Sequence, residues 1–104
     1  MVVEMKTDEI RKKAFDLAMA RRSYDDYIWM WAEAELRLRN AYGTSLAPNA
    51  KNIDIDTSKI VDAPSAEDIK KLASELASKK VKVQDVHWFI AERQYIYNAI
   101  KTVL

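Results

Sequence analysis

The chain repeats one pattern of apolar and polar positions twice. Residues 8–36 align with residues 67–95 without a gap at a constant offset of 59, and nine of the 29 aligned pairs are identical. This agreement indicates a tandem duplication. The identical pairs are Ile10/Ile69, Lys12/Lys71, Ala14/Ala73, Leu17/Leu76, Ala18/Ala77, Asp26/Asp85, Trp29/Trp88, Ala32/Ala91 and Glu33/Glu92.

Each copy is predicted to form two helices joined by a short turn. In the first helix Ile10, Ala14 and Leu17 recur at spacings of four and three residues, which places them on one side of an α-helix. The second copy repeats this spacing. The predicted helices span about residues 8–22, 24–42, 66–80 and 83–103.

The predicted helix ends rest on capping residues. Thr7, Ser23 and Ser65 suit N-caps, because a hydroxyl oxygen there can accept a hydrogen bond from an unpaired backbone N–H of the first turn. Gly43, the single glycine of the chain, is well placed as the left-handed residue that follows the second helix.

The duplication predicts the architecture. One helical hairpin cannot bury its own apolar stripe, but two hairpins that face each other can. We therefore expect an all-α fold in which two duplicated αα-hairpins pack as a four-helix assembly with pseudo-two-fold symmetry. Residues 1–104 would form one domain built from two repeats, 7–43 and 66–102.

The repeats are joined by a linker at 44–65, for which we predict an irregular crossover at about 44–64. Residues 52–56 alternate polar and apolar side chains, which permits a short extended segment. A lone strand there would have no partner within the chain, and pairing across a dimer is the alternative. We expect an ordered crossover whose apolar residues pack on the helices, namely Ile53, Ile55, Ile60 and Val61.

The composition excludes several classes of protein. The chain has no cysteine and one glycine, which excludes disulfides, thiolate sites and glycine-rich phosphate-binding loops. Its 17 basic and 16 acidic residues leave a net charge of +1, too little for strong long-range attraction to nucleic acid or an anionic membrane. No run approaches the roughly 18 apolar residues that a membrane span needs, so we expect a cytoplasmic protein with no membrane partner.

Both copies resemble a short bacterial all-helical domain of unknown function. Members of that family have the pattern I-R-x-x-A-Y-x-L, a turn, and then W-x-x-A-E-x-E-L. The resemblance covers about 60 of the 104 residues and implies a small helical hairpin, here in two tandem copies, without implying an activity or a site. Members usually carry glycine in the turn, and neither copy does. The matching residues are Ile10-Arg11, Ala14-Phe15, Leu17, Trp29, Ala32-Glu33 and Glu35-Leu36 in the first copy, and Ile69-Lys70, Ala73, Trp88-Phe89 and Ala91-Glu92-Arg93 in the second.

The ionisable residues do not predict catalysis. Asp26 and Asp85 recur, as do Glu33 and Glu92, but a di-metal site in a helical bundle also needs histidines at fixed spacing, and His87 is the only one. We expect the aspartates to cap helices and the glutamates to pair with basic neighbours. Without a nucleophile and base, the chain is predicted to be no enzyme and to hold no cofactor or metal.

Basic clusters bracket the first helix of each copy. If the pseudo-two-fold places them on one surface, they would form a paired patch able to contact phosphates. The alternative is a solvated face balanced by neighbouring acidic residues. This candidate basic patch comprises Arg11, Lys12, Arg21, Arg22, Lys70, Lys71, Lys79 and Lys80.

The aromatic residues favour a protein partner. Three Trp, five Tyr and two Phe are many for a small core, and Tyr and Trp are enriched at interfaces. Trp29 and Trp88 are expected to anchor the core of each hairpin, with ligand stacking as the alternative. Together with Asp26, Asp85, Glu33 and Glu92 they would be the structural anchors of the repeat. The candidate interface aromatics are Tyr27, Trp31, Phe89, Tyr95 and Tyr97.

These observations favour a non-enzymatic helical protein-interaction module that associates through its aromatic-rich second helices. Its partner would be a second copy, as a homodimer, or another protein. The alternative is a small nucleic-acid-binding protein that uses the duplicated basic clusters. What differs between the copies is the outer face of the second helix of each hairpin, and we expect any function to lie in that difference and in the linker between the copies. The differing positions are Tyr27, Met30 and Arg37 in the first copy and Val86, Phe89 and Ile96 in the second.

Overall fold

Four α-helices and a two-stranded β-ribbon make up the structure, a computed structural model that describes residues 1–42 and 51–103. The four predicted helices are confirmed, whereas Gly43 and residues 44–50 of the crossover lie outside the described residues. In chain order the elements are β1 (Val2–Glu4), α1 (Thr7–Met19), α2 (Tyr24–Leu38), β2 (Asn52–Asp54), a 3-10 turn (Thr57–Lys59), α3 (Ala66–Ser78) and α4 (Val83–Val103).

The helices of each copy pack mainly on helices of the other copy. Helix α1 packs on α4, α3 packs on α2, and α2 and α4 pack on each other. Exchanging the two copies turns α1 into α3 and α2 into α4, and the packing pattern maps onto itself. The predicted four-helix assembly with pseudo-two-fold symmetry therefore accounts for the helix contacts.

The buried apolar side chains form two clusters. One is built around α2 and α3 and the other around α1 and α4, so each joins helices of different copies. In the first, Ile69, Leu72 and Leu76 of α3 pack with α2 residues that include Tyr27 and Ile28. In the second, Ile10 of α1 packs with fully buried residues of α4, and this cluster also contains the ribbon. The α4 residues are Ala91, Ile96 and Ile100.

The ribbon joins the N-terminal residues to the crossover. Strand β1 pairs antiparallel with β2, and Val3 stands opposite Ile53. The expectation that a strand in the linker would lack a partner within the chain is wrong, because residues 2–4 supply one. Burial of Ile53 and Ile55 follows the prediction, as does the packing of Ile60, but Val61 is exposed.

The ribbon breaks the symmetry of the two copies. It belongs to the cluster of α1 and α4, and the cluster of α2 and α3 contains none of its residues. Ile96 of α4 is fully buried in the ribbon cluster, whereas the equivalent Arg37 of α2 is partly exposed and pairs with Glu33 at 3.2 Å. The prediction that Tyr27, Val86 and Ile96 lie on an outer face is therefore wrong, because these side chains are buried in the two clusters.

Two of the three predicted N-caps are confirmed. The Ser23 hydroxyl oxygen accepts a hydrogen bond from the Asp26 backbone N–H at 3.1 Å, and Ser65 does the same for Asp68 at 3.1 Å. The prediction for Thr7 is wrong, because Thr7 is already helical and the extended residue before it is Lys6, which makes no side-chain cap.

The two turns between paired helices have the same backbone conformation. Arg21 has φ of 51° and Lys80, its repeat equivalent, has φ of 52°. Each donates its backbone N–H to the carbonyl three residues earlier, Ala18 or Ala77, at 3.2 Å. The left-handed region favours glycine, because a Cβ atom there lies too close to the backbone.

Arg21→Gly should raise the free energy of unfolding by up to about 1 kcal/mol, and Lys80→Gly should do the same. Glycine removes the steric cost of the left-handed residue, although its greater freedom in the unfolded chain offsets part of the gain. Urea unfolding measures both variants. Lys79→Gly is the control, because Lys79 has φ of −76° and glycine there should gain nothing. A gain as large for Lys79→Gly would contradict the explanation.

Candidate interaction surface

A charged cluster ties α2 to α4 inside the molecule. The Arg93 guanidinium of α4 pairs through Nε with the Glu35 carboxylate of α2, and its Nη1 lies 3.6 Å from Glu92 Oε1. Arg93 also donates to the Phe89 carbonyl at 3.1 Å, and the Tyr42 hydroxyl donates to Glu35 at 2.8 Å. One cation therefore serves two carboxylates at the centre of the helix assembly.

Burial shapes the protonation of this cluster. Burial raises the pKa of the Tyr42 phenol well above its usual range, so the hydroxyl keeps its proton and remains a donor to Glu35. Burial also raises the pKa of the Glu92 carboxyl, against the opposing effects of Arg93 and a hydrogen bond from Trp88. The cluster satisfies its polar groups internally, as a structural ion pair does.

His87 is a core residue. Its side chain is 8% exposed, and its ring meets the Tyr27 ring edge-on with 4.4 Å between centroids. Nε2 is buried and makes no hydrogen bond to the described residues. Burial lowers the pKa of the imidazole, so it is neutral at pH 7. The first copy has a buried Ile28 at the equivalent position.

Two of the predicted interface aromatics lie in the core, so their assignment to an interface is wrong. Tyr27 is 2% exposed, and its hydroxyl accepts from the Arg22 backbone N–H at 3.1 Å and donates to the Leu17 carbonyl. Trp31 is buried against Phe89, with 5.0 Å between ring centroids. Tyr27 closes the turn between α1 and α2, which requires its hydroxyl inside.

Tyr95 and Tyr97 are partly buried and hydrogen-bond to the non-helical segments. The Tyr95 hydroxyl donates to the Glu4 carbonyl of β1 at 3.0 Å. The Tyr97 hydroxyl donates to Asp62 at 2.7 Å, and the side chains of Arg37 and Lys101 lie over its ring. Both residues therefore have roles within one chain.

The repeated tryptophans do not have equivalent environments. Trp88 is partly buried against the ribbon cluster, whereas Trp29 is 40% exposed, so the prediction that Trp29 anchors the core is wrong. The cluster on which Trp88 packs contains the ribbon, and the cluster of α2 and α3 contains none of its residues. Asp26 and Asp85 lie in the first turns of α2 and α4, where a carboxylate faces the positive helix end.

All eight residues of the candidate basic patch are exposed. Arg11 pairs with Asp8 at 3.5 Å. Four of the eight lie on or just after α1 and four on or just after α3, and these helices pack on different partners. Nucleic-acid binding by the duplicated clusters stays a prediction.

The most exposed large apolar residues of the helix assembly, apart from the last turn of α4, lie on α1. Phe15 is 62% exposed and Met19, one helical turn later, is 57% exposed. The residues at the same positions of α3 are Ser74 and Ser78, which are also exposed. We call the outward side of α1 formed by Phe15 and Met19 the α1 stripe. Comparing the copies at outward positions of their first helices would have found it from the sequence.

No protein-family model, curated protein or solved structure matches this chain. The resemblance to the bacterial helical domain therefore stays a prediction. Among the described residues, no group of three or more His, Asp or Glu could hold a metal ion, and no helix is long and apolar enough to cross a bilayer. Function has to be inferred from the geometry of the surface and of the interior.

The largely buried ion pair predicts a larger stability effect than an exposed pair. Glu35→Gln should lower the free energy of unfolding by roughly 1.5 kcal/mol, because Arg93 loses its closest counter-charge and keeps only Glu92. Glu33→Gln, the same change on the same helix in a more exposed pair, should cost under about 1 kcal/mol. Denaturant unfolding measures both, and equal losses would contradict the central role of Glu35.

The buried imidazole predicts a loss of stability in mild acid. The folded state resists a proton that His87 of the unfolded chain accepts at its ordinary pKa of 6.5, so stability falls as the pH drops below that value. His87→Ile, which copies Ile28, should remove this loss. Glu92 acts with the opposite sign, because its raised pKa lets the folded state take up a proton before the unfolded chain does.

Thermal unfolding between pH 7 and pH 5 tests this balance. The wild-type protein should lose more stability on acidification than His87→Ile. In the variant, Glu92 adds stability as the pH falls toward its ordinary pKa of 4.5, and His87 no longer opposes that gain. Identical pH profiles for the two proteins would show that His87 does not cause the acid sensitivity.

Proposed function

We propose that the chain is a non-enzymatic helical interaction module that associates with itself. The observation that supports this most directly is the α1 stripe. Single exposed apolar residues are common on soluble proteins and need no explanation. Phe15 and Met19 differ from that case because they are adjacent on one helix face and because the duplicated helix has serine at both positions.

The second copy indicates which side chains on the first helix of a hairpin are needed for folding. Helix α3 packs on α2 as α1 packs on α4, and it does so with Ser74 and Ser78 on its outward side. Large apolar side chains at these positions are therefore not needed to form the helix or to dock it. Their burial against a partner would contribute roughly 1.5–3 kcal/mol for each fully buried side chain.

The grooves of the molecule favour association over small-molecule chemistry. A cavity of about 600 Å³ lies between α1 and the C-terminal half of α4. Its charged lining combines two cations, Lys12 and Lys13, with two anions, Glu9 and Asp16. A mixed, exposed lining without a paired nucleophile and base does not suit catalysis.

Replacing the stripe by its α3 counterpart tests the function. Wild-type protein should have a mass above that of the monomer at micromolar concentration, and Phe15→Ser/Met19→Ser should be monomeric there. The reason is that the double variant removes the apolar area whose burial drives association. Light scattering and sedimentation velocity measure the mass, and circular dichroism checks that the helices persist.

Ser74→Ala/Ser78→Ala is the matched control on α3 and should leave the mass unchanged. A wild-type protein that remains strictly monomeric at several hundred micromolar would contradict self-association. A double variant that associates as well as the wild type would place the interface elsewhere.

A further inference from the structure

We infer that the α1 stripe is covered by α1 of a second copy, and that the two helices lie antiparallel across a two-fold axis near Phe15. This inference rests on the proposed self-association and adds the orientation of the contact and the charge pairs that fix it. The key pair is Asp8 of one copy with Arg22 of the other.

The charges along α1 are arranged for self-pairing. Asp8 and Glu9 lie in the first turn, and Arg21 and Arg22 follow the last turn, with all four exposed and the stripe between the two ends. In an antiparallel pair the acidic end of each helix meets the basic end of the other. In a parallel pair the like charges would meet, which is unfavourable.

The register follows from the positions of the charged residues. Asp8 and Arg22 are each seven residues from Phe15. Asp8 lies in the first turn of α1, and Arg22 lies in the turn that follows the helix, which ends at Met19. A two-fold axis that places the two Phe15 rings together therefore brings the first turn of each helix to the turn that follows the other helix, where the long Arg22 side chain can meet the Asp8 carboxylate. Helix α1 has 13 residues and is about 20 Å long, so the apolar centre lies along the helices and the charge pairs form at the two ends of the contact.

Both charged residues are available for this role. Asp8 has Arg11 as its partner within the chain, but both side chains of that pair are highly exposed, so the pair is weak and easily exchanged. Arg22 makes none of the ion pairs within the described residues, and its backbone N–H is held by the Tyr27 hydroxyl at 3.1 Å. The turn thus fixes the position of the Arg22 backbone.

The second copy of the repeat cannot make the same contact. The α3 counterparts of Phe15 and Met19 are serines, and the counterpart of Arg22 is Val81, which is partly buried. Only α1 combines an apolar centre with oppositely charged ends. A contact of α1 with α1 is isologous and closes after two copies, so association should stop at a dimer.

Charge reversal and restoration test the orientation. Asp8→Arg alone and Arg22→Asp alone should each weaken the dimer about tenfold, because each places like charges together at both ends. The combined variant Asp8→Arg/Arg22→Asp should return to within about threefold of the wild type, because the pairs re-form with exchanged signs. Sedimentation equilibrium of the full chain at low salt measures the dissociation constants of the wild type and the three variants.

Glu67→Arg is the control, because Glu67 is the repeat equivalent of Asp8 and occupies the same turn of α3. It should leave the dimer unchanged, and thermal unfolding of every variant checks that the helix start tolerates the new charge. A similar weakening by Glu67→Arg would overturn the inference, since the effect would then come from net charge or helix stability.

The outcomes separate this inference from the proposed function. A wild-type monomer would overturn both. A dimer that Phe15→Ser/Met19→Ser dissociates, but that the single charge reversals leave intact or the combined variant fails to restore, would overturn the antiparallel pairing and keep self-association. A dimer insensitive to all of these changes would overturn the assignment to α1.

Discussion

The packing of α2 against α4 is the contact on which the rest of the structure depends. The helices joined by each tight turn pack mainly on the other copy, so α1 needs α4 and α3 needs α2. Each of the two apolar clusters contains residues of both α2 and α4, so the contact between these helices is common to both. The ion pair of Glu35 and Arg93 lies at this junction and adds direction to apolar packing that is otherwise non-directional.

This dependence gives a physical reason for the duplication. A single copy has a helix pair with its apolar side open, and covering that side takes a second helix pair. Two copies in one chain supply both helix pairs together, so covering the apolar side does not depend on the concentration of a separate partner. The positions that stay identical between copies, such as Ile10 and Ile69, include those that make the crossed contacts.

The ribbon gives the two copies different surroundings. Strand β1 and the crossover cover the cluster of α1 and α4, and Ile96 is buried where the other copy exposes part of Arg37. Trp88 packs on this cluster, whereas Trp29 of the other copy is exposed. Within the described residues, the ribbon thus covers only the half of the pseudo-symmetric assembly that contains α1 and α4.

The sequence predicted the four helices because their apolar residues recur at helical spacing, and it predicted two N-caps because serine at Ser23 and Ser65 has a specific hydrogen-bonding role. It did not fix which aromatic residues of α2 face inward. Large aromatic side chains occur on several sides of that helix, so periodicity alone could not separate Tyr27 from Trp29. That choice depends on where α3 and the first turn lie.

The ribbon was missed for a different reason. Three residues at each strand are too few for an alternating pattern to be distinctive, and the partner of β2 lies almost 50 residues earlier in the chain. Pairing between such distant short segments is set by the tertiary structure. The helices fix where both ends of the ribbon lie, and only then does pairing become the way to satisfy the backbone groups.

A duplicated fold separates the demands of folding from those of function. Core residues that both copies share are explained by the structure they have in common. Residues that differ between the copies beneath the ribbon are explained by the ribbon, which covers only one of the two clusters. Phe15 and Met19 fall in neither class, because they are exposed on a helix whose serine-bearing counterpart packs in the same way. Their free exposure to water has no benefit for the isolated chain. Contact with a partner is the physical setting in which these two side chains would be favourable, which is why the α1 stripe carries the functional proposal.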